Sequence, residues 1–74
     1  MYERIKDLRE DSDLSQKQIA QMLNVAQTTY SDYELGKINI PLKILRSLAI
    51  LHNTSIDYLL DLTDEKAPYP RNKK

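Results

Sequence analysis

There is no cysteine anywhere in this chain, which rules out disulfides and thiolate chemistry and suits a reducing compartment. One glycine and three prolines leave few breaks in 74 residues. No stretch sustains the period-2 alternation of a half-buried strand, so helices are expected throughout. The longest apolar run, Leu48-Ala49-Ile50-Leu51, is far short of the ~20 residues needed to cross a bilayer. The N-terminus, MYERIKDL, has charges where a signal peptide needs an apolar stretch, so the expected location is cytoplasmic.

Also missing are a glycine-rich phosphate loop and any second histidine to join His52 at a metal. The acidic run Glu10-Asp11-Ser12-Asp13 falls in an expected turn and is spaced for solvation. An all-helical chain this small offers little room for a substrate, so neither an enzyme nor a cofactor is expected. Net charge is zero, with eleven residues of each sign, so the basic excess of many nucleic-acid binders is absent as well. The charges are unevenly placed: residues 1–13 hold five acids and three bases, whereas 71–74 read RNKK. Phosphate contacts would need a local patch, backbone amides and neutral side chains.

The periodicity predicts five helices in one small domain, which can form a core without staples. The first runs from about Tyr2 to Asp11 with Ile5 and Leu8 facing inward. Ser15 and Gln18 form a capping box for the second, whose inner stripe is Ile19, Ala20 and Leu23 and whose stop is Asn24. The third covers 27–35 and ends at Gly36. Pro41 fits the first turn of the fourth, which carries Leu45, Leu48 and Ala49 and ends near His52-Asn53, with the His52 ring against the terminal carbonyls. Ser55 caps a fifth running to Leu60 or Leu62. Residues 63–74 have no apolar period and read as a flexible basic tail.

The third helix is unusual on its wheel. At ~100° per residue, Gln27, Thr28, Ser31 and Asp32 share ~140° of arc, while Ala26, Tyr30 and Tyr33 form a narrow apolar stripe. Two helices joined by about three residues, with a short polar outer face on the second, follow the helix-turn-helix plan. The chemistry suits base edges: Gln pairs with adenine N6 and N7, Thr and Ser with several bases, and Asp with cytosine N4.

LSQKQIAQMLNVAQTTYSDYELGK, residues 14–37, resembles the helix-turn-helix of the Cro/CI/Xre family of phage and bacterial repressors. LRSLAILHNTSIDYLL, residues 45–60, resembles its fourth and fifth helices, and the likeness spans residues 2–62. Gln16, Ala20, Asn24, Gln27 and the run Tyr33-Glu34-Leu35-Gly36-Lys37 carry it jointly. It implies a compact, all-α, lambda-repressor-like DNA-binding domain over 1–62 with the tail at 63–74. Gln27, Thr28 and Asp32, with Ser31 on the same arc, would then meet base edges. Gln16, Thr29, Lys37, the backbone near Asn39 and Ile40, and Lys43 would meet phosphates. Arg9 and Glu34 would pair to tie the first helix to the third. Leu42 stands where some relatives carry a basic side chain, and Ala26 where Ser or Thr often caps.

A weak homodimer is expected on Ile50, Leu51, Ile56, Tyr58 and Leu62, because the fifth helix repeats apolar residues at i, i+4 on more than one face. The expected function is a transcriptional regulator of double-stranded DNA that represses by covering its operator. The alternative is an antitoxin-type interaction module that binds a toxin and its own operator; a fragment of a longer repressor is a third reading.

Overall fold

A computed structural model describes residues 3–68. Its order is α1 (Glu3–Asp11), α2 (Gln16–Leu23), α3 (Gln27–Leu35), α4 (Leu42–Leu51) and α5 (Ile56–Leu59), with no strand among the described residues. Helix α2 packs on α3 and α4, while α1 packs on α3 and α5. Between them lies one core, centred on the fully buried Ile5, Ile19, Tyr30, Leu48 and Leu59. Tyr30 and Tyr33 both enter it and meet edge to face, with ring centroids 6.4 Å apart. None of the helices in the described residues is long and apolar enough to cross a membrane.

Helix starts obey local chemistry. Ser15 accepts from the Gln18 amide while Gln18 Oε1 accepts from the Ser15 amide, closing the capping box. Ser55 accepts from the amide of Tyr58 at the start of α5. Pro41 stands one position earlier than expected, as the N-cap of α4 with extended backbone, so it precedes the first turn rather than filling it.

All five helices stop in the same way. Asp13, Asn24, Gly36, Asn53 and Asp61 are left-handed, with φ between 53° and 73°. In each case the next residue's amide donates to the carbonyl five positions back: Leu14 to Arg9, Val25 to Ala20, Lys37 to Asp32, Thr54 to Ala49 and Leu62 to Asp57, at 2.8–3.2 Å. This is the Schellman closure, which satisfies carbonyls that a helix end would otherwise leave open. Glycine takes that conformation without a Cβ conflict, yet only Gly36 does so here; Asn and Asp serve at the other four stops.

The fifth stop corrects the expected length of α5. Asp61 turns the chain immediately after Leu60, so the helix is one turn long and Leu62 lies beyond it. The chain after Asp61 is tied to the domain by residues distant in sequence. Arg4 stacks on the Tyr58 ring, 4.1 Å from its centroid, donates to the carbonyls of Tyr58 and Thr63, and pairs with Asp61 at 2.8 Å and Asp64 at 3.1 Å. The fully buried Thr54 hydroxyl donates to the Lys66 carbonyl. The chain from 63 to 66 is therefore fastened to the domain, and residues 69–74 of the expected tail lie outside the described residues.

Asp13→Gly and Asn53→Gly should each raise stability by about 0.5 kcal/mol in thermal denaturation, because they keep the left-handed stop and remove its Cβ conflict. A fall in melting temperature for both would show that the Asp and Asn side chains contribute more than their backbone strain costs.

Candidate nucleic-acid interface

The expected base-reading residues share the outer side of α3 but differ in exposure. Gln27 and Thr28 are exposed in its first turn, whereas Ser31 and Asp32 are half-buried, as is Thr29, which is expected at a phosphate. Ala26 supplies no side-chain cap, so the amides of Gln27, Thr28 and Thr29 have no acceptor among the described residues. Three further groups of amides are equally open: Gln16 and Lys17 at the start of α2, Ile38 to Ile40 in the loop, and Leu42 and Lys43 at the start of α4. Lys17, Lys37, Lys43 and Arg46 are exposed and form no ion pair among the described residues. Open amides and unpaired cations together favour an anionic ligand.

Two expected phosphate residues have other engagements. The side chain of Ile40 is buried in the core, which leaves its amide, without an acceptor among the described residues, as its one group for a phosphate. Gln16 turns its amide nitrogen inward to Glu34 Oε1 at 3.0 Å.

Glu34 is where α1, α2 and α3 meet. Arg9 donates from Nε to Oε2 at 2.6 Å and from Nη2 to Oε1 at 3.2 Å, and also from Nη1 to the Leu14 carbonyl at 2.9 Å. Side-chain exposure is 12% for Arg9 and 4% for Glu34, so this two-pronged pair is shielded from water. Burial alone would raise the Glu34 carboxyl, but hydrogen bonds from Arg9 and Gln16, with the Tyr30 hydroxyl alongside, hold it below its ordinary value. Tyr30 is pushed the other way: burial and then the Glu34 carboxylate raise its hydroxyl far above the ordinary range. That hydroxyl is buried without a partner in good hydrogen-bonding geometry among the described residues, and its raised pKa keeps it protonated beside the pair.

The residues expected at a dimer contact divide. Ile50 is 58% exposed and Leu62 71%, with Leu60 partly exposed. Leu51, Ile56 and Tyr58 instead pack against the chain's own core, with Tyr58 additionally under Arg4. His52 departs from expectation too. Its Nε2 is buried with no partner among the described residues instead of meeting helix carbonyls, and burial, followed by the charge of Lys66, lowers its pKa. Sequence reasoning missed Arg4 and Thr54, whose partners lie 12 to 60 residues away and leave no local signal.

Arg9→Ala strands the Glu34 charge and should cost about 2–3 kcal/mol at neutral pH, above the ~0.2–1 kcal/mol of an exposed pair. Because the native carboxyl is held low, its contribution is full above the ordinary value of 4.5 and is lost as pH falls through the lowered native value. Denaturant titrations across that acid range should therefore fall steeply for the wild type and less so for Glu34→Gln. Equal acid slopes would mean that other carboxylates set the acid limit.

A family model described as "Helix-turn-helix" matches residues 5–59. Across 99% of its length the chain is 36% identical to "Uncharacterized HTH-type transcriptional regulator YobD" of Bacillus subtilis (strain 168), covering 66% of that protein. It is also 33% identical over 93% of its length to "HTH-type transcriptional regulator AnsR" of the same organism, covering 60% of it. The chain thus spans about two thirds or less of the length of these relatives. Comparison with solved structures gives no significant match. The five helices, the tight α2–α3 turn at Asn24 and a family match over residues 5–59 together establish that this chain belongs to the Cro/CI/Xre-type helix-turn-helix family.

Proposed function

We propose that this chain is a sequence-specific, double-stranded-DNA-binding transcriptional regulator, and that it represses by occupying its operator. The observation that carries this reading is the outer side of α3, where exposed Gln27 and Thr28 stand beside first-turn amides that nothing in the described chain caps. Both relatives are named as transcriptional regulators, which supports it.

In this reading α3 enters the major groove. Gln27 and Thr28 reach base edges first, with Ser31 and the acidic Asp32 deeper along the helix, Asp32 suited to cytosine N4. Thr29, Gln16, Lys37, Lys43 and the amides of Asn39 and Ile40 hold phosphates on either side and set the register. Most of these phosphate-contacting donors are neutral, which reconciles DNA binding with a net charge of zero.

Selection of bound sites from random duplex DNA tests the class, and failure to enrich any sequence would reject it. On the selected site, Gln27→Ala should weaken binding by ~1–3 kcal/mol and relax preference at one position. Uniform weakening on every duplex would reassign Gln27 to phosphate.

Two copies on a palindrome would meet through Ile50 and Leu62, the exposed members of the expected interface, with Leu60 beside them, and would set two α3 helices ~34 Å apart. Ile50→Glu and Leu62→Glu should then weaken binding to a full palindrome more than to an isolated half-site, with no loss of folding. One subunit per palindrome at saturation in sedimentation would reject the dimer.

A further inference from the structure

We propose that Glu34 is a positioning residue for DNA binding: it fixes the Gln16 amide so that one hydrogen is held inside the protein and the other is presented at the start of α2. This inference rests on the reading that Gln16 meets a phosphate, and it adds the reason why Gln16 points correctly before DNA arrives.

A glutamine amide has two nearly isosteric ends, an oxygen that accepts and a nitrogen that donates twice. Its orientation is set only by what faces it. Glu34 Oε1 lies 3.0 Å from Gln16 Nε2 and already accepts from Arg9 Nη2 at 3.2 Å. An ionised carboxylate only accepts, so the amide oxygen cannot face it and the nitrogen must. The second amide hydrogen meets no acceptor among the described residues. Gln16 is the first residue of α2, where its own backbone amide and that of Lys17 are also open and Lys17 is exposed.

The carboxylate is itself held. Arg9 grips both of its oxygens, and the Glu34 side chain is 4% exposed. Gln16 is therefore anchored on a shielded anion rather than left to sample its three side-chain torsions in water. A neutral amide at position 34 would lose this selectivity, because it offers a donor as well as an acceptor and accepts Gln16 in either orientation.

The test is a double-mutant cycle in DNA affinity at fixed salt, using a duplex recovered by site selection and a scrambled duplex of equal length. In the wild-type background Gln16→Ala should weaken binding about tenfold on both duplexes, as expected for a hydrogen bond to a charged oxygen. In a Glu34→Gln background the same change should cost less than about twofold. Arg9→Lys is the control: it lowers stability but leaves the carboxylate charged, so the effect of Gln16→Ala should remain about tenfold. A tenfold effect that persists in Glu34→Gln overturns the positioning role while leaving the phosphate contact intact. No effect of Gln16→Ala in the wild type overturns the phosphate reading and the proposal with it.

Should Glu34→Gln not fold, the unmodified protein decides through its Gln16 side-chain amide signals in NMR. On adding DNA, one hydrogen should shift and the other keep its Glu34-bonded position. Loss of the Glu34-bonded signal in the complex would overturn the proposal.

Discussion

A single buried carboxylate, Glu34, determines how three helices meet. It sits near the end of α3, and the groups that neutralise it come from α1 and α2. An unpaired charge there would be expensive, and Arg9 on both oxygens with Gln16 on one offsets that cost. Geometry is a consequence of that requirement. The arginine fork is planar and the carboxylate two-pronged, which restricts the approach of α1 to α3 more tightly than apolar packing alone. Tyr30 fills the space beneath, its hydroxyl kept neutral by burial and by the adjacent negative charge.

The same economy shows in the backbone. Five short helices need five sharp stops, and the chain has one glycine with which to make them. Asp and Asn tolerate the left-handed region better than other side chains and make the remaining four. Each stop satisfies carbonyls at a helix end and redirects the chain within two residues, which is how a domain of this size brings α2 and α3 into close contact. Helix beginnings are treated differently. Those of α2 and α5 are capped by serine, whereas α3 and α4 begin at Ala26 and Pro41 without a side-chain acceptor. The open beginnings and the loop between them carry the donors expected of an anion-facing surface, which a formal charge of zero conceals.

Much of this architecture was legible in the chain. The boundaries of α2 and α3 are set by Ser15, Gln18, Asn24 and Gly36, because caps and left-handed stops are made by residues within a few positions of one another. The inner stripes of the first four helices come from period, since a burial pattern of ~3.6 residues is written directly into the order of side chains. The polar arc of α3 was readable for the same reason. The end of α5 was not: apolar residues continue through Leu60 and Leu62, and Asp61 carries no stronger stop signal than other aspartates in the chain.

What the sequence determined by itself is therefore local: a helical fold, where α1 to α4 begin and end within a residue or two, which faces are apolar, and which side chains of α3 form a polar arc. Tertiary structure decided what depends on groups far apart in the chain. It turned Gln16 inward to Glu34, buried Ile40, drew Leu51, Ile56 and Tyr58 onto the core, and fastened residues 63 to 66 through Arg4 and Thr54. The physical reason is range. Caps and periodicity act over three to five residues and leave a pattern in the sequence, whereas a guanidinium meeting carbonyls more than fifty residues away leaves none until the helices have packed.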